Sequence, residues 1–402
     1  MSDRRILYVA AFARALATGM VGVLLGIYLA AVGLDVTRIG LVIGAGLAGG
    51  AAATAVAMFA GDRLGRRAFL IALAVLTALG ALATAAAVSA WAIGAAAFLG
   101  MINGMGRDRG AALALEQAVL PATAPDSDRT RVIAWYNALQ DAGHALGSLL
   151  AGLPVLLRRF AHAGDADSMR AMFVVYAALM LATAALYLRL TPAVEVHVGA
   201  ARAPISRESR GVLLRICALF SLDSLGGGFL TTALLSYFFF KRFGVGEGVI
   251  GMLFFGARVM NAFSHLGAAW LARRIGLVKT MVFTHIPSSL LLVTVAFAPS
   301  FVVAAVLFLL REGLVEMDVP TRQSYVMAVV RPEERTFASS VTALVRTGAW
   351  AIAPSFAGLF MQGGSLMAPL CIGAGLKIAY DVLLYRAFRN RPAPEERVGA
   401  VT

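Results

Sequence analysis

The chain has 402 residues, of which 60% are hydrophobic and only 14% charged, and its mean hydropathy is +0.80. That composition excludes a soluble globular domain and points to a polytopic membrane protein. The net charge of +13 sits mostly in basic residues between apolar runs, which fits orientation in a bilayer and excludes nucleic acid as a partner.

A membrane-crossing helix needs about 20 mainly apolar residues. Runs of that length fall at 6–30, 36–60, 68–88, 90–118, 131–156, 170–190, 211–240, 247–271, 278–298, 301–328, 337–361 and 366–387, which makes twelve spans. The first is read as a retained helix rather than a signal peptide, because the apolar run is long and has no convincing small-residue cleavage site. With both ends on one side, loops on that side hold about 21 basic residues against about six opposite, so both termini are expected in the cytoplasm of an inner-membrane protein. Cys217 and Cys371 lie in separate spans with no metal-ligand spacing and read as packing thiols.

Residues 191–210 contain Pro192, Pro204, Glu195, Glu208 and several arginines, and they read as a linker. The expected organisation is 1–190 as a first six-helix half, 191–210 as a cytoplasmic linker, 211–390 as a second half and 391–402 as a cytoplasmic tail. An internal repeat supports this cut. Gly33 to Gly40 aligns without a gap on Gly244 to Gly251, Leu64-Gly65 falls opposite Ile275-Gly276, and Ala151-Gly152-Leu153 matches Ala357-Gly358-Leu359. Two related halves about a pseudo-twofold are a transporter architecture with a site near the midplane.

Between the second and third spans the chain reads Met58-Phe-Ala-Gly-Asp62-Arg63-Leu-Gly65-Arg66-Arg67. Charges of this kind cost about 2.5 to 3.5 kcal/mol each at a helix centre, so this stretch is a loop at the membrane surface. Gly65 supplies freedom for a tight reversal.

Ionisable residues inside apolar spans are costly and usually face a partner or a cavity. The fourth span carries Arg107, Asp108 and Arg109, and the tenth carries Arg311, Glu312, Glu316, Asp318 and Arg322. Glu312 and Glu316 share a helical face, and Asp318 and Arg322 are placed for an intrahelical pair. The fifth span has Asn137, Asp141, His144 and Ser148 in a polar line at the helical period. Arg14 and Thr18 stand in the first span, Asp223 in the seventh, Arg258, Asn261 and His265 in the eighth, and Ser339, Thr342 and Arg346 in the eleventh. Asp141, Asp223, Glu312 and Glu316 either exchange protons or serve as arginine counter-ions. Asp223 and Asp141, each deep in an apolar span, are the leading candidates to carry the proton; Asp223 has no charged neighbour within a helical turn, and an arginine from another helix, such as Arg14 or Arg258, would make it a counter-ion instead. The histidines read first as hydrogen-bonded packing residues.

The loop at 58–67 resembles the signature of the major facilitator superfamily, with Asp62, Arg63, Gly65, Arg66 and Arg67 on the pattern and Met58 in place of the leading glycine. The resemblance covers essentially the whole length. It implies an all-α membrane protein with twelve transmembrane helices in two pseudo-symmetric six-helix halves. It also implies that Asp62, Arg66 and Glu116 form a charge relay that latches one conformation, and that the charged stripes line one central path. The chain departs from antiporter members in lacking a Gly-Pro signature in the fifth span and in having Gly100 where an arginine is common.

No nucleotide-binding glycine loop, His-Glu-x-x-His motif or nucleophile with its base competes with this reading, so neither enzymatic activity nor a cofactor is expected. The leading expectation is a monomeric secondary transporter that exports an organic metabolite or drug by alternating access, driven by protons. Uptake by proton symport or facilitated diffusion is the alternative, and a non-transporting receptor on the same scaffold comes third.

Overall fold

The computed structural model describes residues 2–123, 125, 128–195, 207–319, 321–322, 325 and 335–388. Among them every regular element is a helix, as expected where hydrocarbon forces backbone groups to be satisfied within the chain segment itself. We number the α-helices α1 (Asp3–Ala31), α2 (Val36–Leu64), α3 (Arg66–Ala86), α4 (Ala90–Leu99), α5 (Ala111–Val119), α6 (Arg129–Leu150), α7 (Leu153–Ala161) and α8 (Asp165–Tyr187). The second half continues with α9 (Arg207–Gly228), α10 (Thr232–Phe243), α11 (Glu247–Ile275), α12 (Leu277–Ala296), α13 (Phe301–Val315), α14 (Arg335–Gly363) and α15 (Ala368–Phe388).

Nine stretches among the described residues are long and apolar enough to cross a membrane, and the chain is an integral multi-pass membrane protein. The three remaining expected spans are the fourth, fifth and tenth. In the fourth and tenth the described helices are shorter than 18 residues, and the helix of the fifth carries Arg129, Arg131, Asp141 and His144 among its apolar residues. The fourth is also broken: α4 ends at Leu99 and α5 begins at Ala111. The seventh is interrupted between Gly228 and Thr232, and the tenth turns at Glu316 and Met317.

The helices fall into two compact units, one of 1–199, 231–255 and 354–366, the other of 200–230, 256–353 and 367–402. In the first unit α1 is the central helix, packed on α6, α8 and α10. Its approach to α6 is close enough that a methyl group at Gly147 would stand 2.1 Å from the Leu16 carbonyl oxygen, the kind of small-residue contact that lets helix backbones meet in lipid. The core below it joins Ile6, Leu7, Leu70, Leu115, Tyr136 and Tyr187. In the second unit α12 packs on α13 and α15, and α15 on α9, around Ile216, Phe220, Met281, Tyr380 and Leu384.

The repeat read from the sequence has a conformational counterpart. Gly65 and Gly276, which it pairs, have φ of +84° and +89° and open α3 and α12, a backbone state that favours glycine. Gly40 and Gly251 are also paired by it. A methyl group at Gly40 would meet the Pro354 oxygen at 2.3 Å, and one at Gly251 would meet the Ser148 oxygen at 2.4 Å. Both contacts lie in the first unit, and the segments touched, around Gly358 and Ala151, are themselves repeat partners.

Candidate functional site

The first unit holds a buried cluster around Arg14. Its guanidinium grips Glu116 bidentately, Nη1 to Oε1 at 2.7 Å and Nη2 to Oε2 at 2.8 Å, while Nε donates to Asp108 Oδ2 at 2.9 Å. The Tyr187 hydroxyl donates to Glu116 Oε1 and the Tyr136 hydroxyl to Oε2, each at 2.6 Å, and Gln140 donates to Tyr136 at 3.3 Å. Arg14 also donates to the Tyr187 hydroxyl. Fork-on-fork pairing with every lone pair engaged is what makes a buried ion pair tolerable in a low dielectric.

This cluster is built by the break in the fourth span. Residues 100–110 leave the helix, with Met101 and Gly106 at φ of +53° and +66°, and their backbone groups find partners elsewhere. Asn103 Nδ2 donates to the Arg107 carbonyl at 2.6 Å, and the Met105 amide donates to Asn103 Oδ1 at 2.8 Å. The Ala233 amide donates to the Gly104 carbonyl at 3.0 Å and the Thr232 hydroxyl to the Met105 carbonyl at 2.8 Å. The Asp108 amide donates to His144 Nε2 at 2.8 Å. That bond fixes His144 as an acceptor at Nε2, so a neutral ring carries its hydrogen on Nδ1. Non-helical backbone at membrane depth persists only where protein or a polar cavity satisfies it.

Several expected site residues take different places. Glu116, expected beside Asp62 and Arg66, has both oxygens filled by Arg14, Tyr136 and Tyr187, which leaves its acceptor capacity spent. Asp62 and Arg63 lie in the last turn of α2, and their side chains fall outside the described residues. At the start of α3 the Arg66 and Arg67 amides donate to Glu195 at 2.7 and 3.1 Å, so a carboxylate from the expected linker caps that helix. On α6 Asn137 is exposed and Asp141 half-buried. The buried polar line is Tyr136, Gln140, His144 and Ser148, one residue round the helix from the expected start. Arg107 and Arg109 are half-buried beside Asp108.

The second unit contains its own buried polar chain, centred on Asp223. Lys377 Nζ lies 2.9 Å from Asp223 Oδ1, Arg322 Nη1 is 3.3 Å from Oδ2, and Arg346 Nη2 is 4.0 Å from it. Arg346 also donates to Ser224 at 3.2 Å and lies over the Trp350 ring. Arg322 is shared with Asp318. Beyond Lys377 the chain continues to His285 Nε2 at 3.3 Å, and His285 Nδ1 meets both Asp381 oxygens at 3.1 and 3.0 Å. Asp223 therefore has the partners of a counter-ion, and its neighbours are Lys377, Arg322 and Arg346 in place of Arg14, whose three nitrogens are committed in the first unit.

Elsewhere in this unit Arg311 pairs with the adjacent Glu312, which also accepts from Asn261 Nδ2 at 2.8 Å. Glu316 and Arg258 are half-buried. Lys377, Asp381 and His285 are absent from the sequence expectations above; Lys377 and Asp381, four apart in the apolar twelfth span, are the signal that marks this chain of residues. Tyr136 and Tyr187 carry no charge and gave no such signal.

Comparison with known proteins agrees with this architecture. The uncharacterized membrane protein YJR124C of Saccharomyces cerevisiae is 25% identical over 416 residues, covering 95% of this chain and 93% of that protein. The nucleoside transporter NupG superposes with a TM-score of 0.73 at 14% identity, over 97% of this chain and 100% of that one. The xylose transporter XylE from E. coli does so at 0.71 and 15%, over 98% of each chain. At such identities the two structures speak for the fold alone. The sequence profile of the Major Facilitator Superfamily matches residues 7–354, and with the helix count, the repeat and the 62–67 signature already in place, the chain belongs to that superfamily.

Proposed function

We propose that this protein is a secondary transporter that exports a small organic solute by alternating access, with protons moving inward as the driving ion. It works as a monomer in the inner membrane with both termini in the cytoplasm, and its two six-helix halves, 1–190 and 211–390, rock about a midplane site. The observation that carries this reading is the break at 100–110, where Asp108 meets Arg14 and backbone groups turn toward Thr232, Ala233 and His144. Broken helices at membrane depth, with charges beside them, are where transporters place solute and ion sites.

The paired contacts Gly40 to Pro354 and Gly251 to Ser148 support a gate that closes one side by packing small residues. Half-buried Arg107 and Arg109 suit a solute bearing negative charge. A ligand-induced thermal-shift screen on the purified protein identifies the solute, since only a ligand that prefers the folded state raises the midpoint. Flux of that solute in proteoliposomes then tests transport. Solute movement opposite to the proton flow supports export, movement with it supports uptake, and binding without flux supports a receptor.

A further inference from the structure

The buried chain from Asp381 to Asp223 contains more than the counter-ion role of Asp223 requires. Asp381 on α15 is fully buried, and its described hydrogen bonds come from His285 Nδ1 on α12. The other ring nitrogen, Nε2, faces Lys377 Nζ at 3.3 Å, and Lys377 Nζ is 2.9 Å from Asp223 Oδ1. Among the described residues the other charged and titratable groups facing this line are Arg322 and Asp318 from the 318–322 segment, Glu316 beside them, Arg346 from α14 and Tyr380 from α15. On neighbouring α13 Arg311 and Glu312 pair with each other, and Glu312 also accepts from Asn261. Asp223, Asp318 and Asp381, with Glu316 beside Arg322, are thus set against Arg322, Arg346 and Lys377, and the His285–Asp381 pair is where one further proton can enter.

Hydrogen positions follow from this geometry. An ammonium at Lys377 has donors only, so His285 must accept at Nε2 and carry its hydrogen on Nδ1, donated to Asp381. One added proton breaks that pattern. Placed on Nε2 it makes an imidazolium whose new N–H points at the Lys377 ammonium, donor against donor and like charge against like charge. Placed on Asp381 it donates to Nδ1 and drives the ring hydrogen to Nε2, with the same collision. In either case Lys377 must let go of His285, which leaves its charge to Asp223 alone. The buried Tyr380 hydroxyl, whose ring stands 6.1 Å from that of His285, has no hydrogen-bond partner among the described residues and is a donor in reserve for the rearranged cluster.

We infer that Asp381, His285 and Lys377 form a binding site for one exchangeable proton, which couples the α12–α15 contact to Asp223 on α9. The proton comes from water, takes the lone pair on His285 Nε2 that Lys377 vacates, and returns to water by the reverse step, with no other bond made or broken. Its use as the driving ion rests on the reading of the chain as a proton-coupled transporter; its existence as a site does not.

The test reads the proton directly and needs no solute. The full-length protein, labelled with ¹⁵N-histidine in detergent, is titrated between about pH 5 and 8, where an imidazole changes charge, and the His285 signal is assigned by its loss in His285→Gln. The expected result is a titrating His285 whose midpoint rises in Lys377→Gln, where the opposing ammonium is gone, and falls in Asp381→Asn, where the anion is gone. Each shift should be at least about one pH unit, the size expected for removing a charge in direct contact. A cluster that never takes up a proton in this range would show no His285 midpoint in the parent protein or in either variant. If Lys377→Gln does not fold, Lys377→Gln with Asp223→Asn removes both charges of that pair and serves in its place.

A His285 signal that stays fixed across the range, or one that both variants leave unmoved, overturns the inference. Should His285 titrate as expected while solute flux ignores a pH gradient, the proton-coupled reading fails and the site stands. Should flux follow the gradient while His285 does not titrate, the site fails and the coupling lies elsewhere.

Discussion

Arg14 and Glu116, 102 residues apart in sequence, meet as a bidentate ion pair whose two contacts measure 2.7 and 2.8 Å. Glu116 is fully buried, so removing one partner strands a charge. Arg14→Met or Glu116→Gln should each destabilise the protein by about 3 to 5 kcal/mol, and the double variant Arg14→Met with Glu116→Met should recover most of that loss. Thermal unfolding of the purified variants checks this. Two single variants each as stable as the parent would mean that water reaches the pair.

Asp223 and Asp141 differ in the same way. Asp223 is buried against Lys377 and Arg322, whereas Asp141 is half-buried. Asp223→Asn should therefore cost about 3 to 5 kcal/mol, and Asp141→Asn no more than about 0.5 kcal/mol, the usual range for substitutions away from packed features. Equal effects would contradict the assignment of Asp223 as the counter-ion.

The break in the fourth span depends on Gly106, which has a φ of +66°, and a methyl group there would lie 2.8 Å from Thr232 Oγ1. Gly106→Ala should cost about 1 to 3 kcal/mol through the left-handed backbone alone. It should also lower solute flux more than Gly94→Ala, a site where an added methyl group meets nothing within 4 Å. Flux unchanged in Gly106→Ala would remove the break from the site.

For the paired glycine contacts, Gly251→Ala cannot be accommodated while Ser148 stays in place, because the new carbon would sit 2.4 Å from its carbonyl oxygen. If this contact is a gate, the variant should favour the state in which it is open, and cysteines placed along α11 should label faster from that side. Asp62→Asn, in the expected latch, should bias the balance in the opposite direction. Labelling rates unchanged by both substitutions would sink the gate and the latch together.

Much of this fold was readable in the sequence because hydrocarbon imposes a simple rule: about 20 apolar residues per span, with most charges gathered in the loops between them. The repeat located Gly65 against Gly276, and both open a helix with positive φ. What the rule could not supply was partner choice. Whether Arg14 meets Glu116 or Asp223 depends on which helices become neighbours, and both acids look alike as lone charges in apolar runs. The line Asn137, Asp141, His144 had the correct period but began one residue off, because Tyr136 and Gln140 fill the buried face and the tyrosine does not stand out in a scan for charge. The helix break at 100–110 was hidden for a related reason: Gly100, Gly104, Gly106 and Gly110 also suit close helix packing, and composition alone does not separate a packed helix from an opened one.

The central claim, solute movement driven by protons, is tested most directly by flux in proteoliposomes carrying the purified protein, measured with and without an imposed pH gradient once the thermal-shift screen has supplied a solute. The account predicts that acidifying the side opposite the solute speeds its movement toward that side and drives accumulation beyond equilibrium, and that collapsing the gradient abolishes the effect. Flux that is the same with and without the gradient would contradict it.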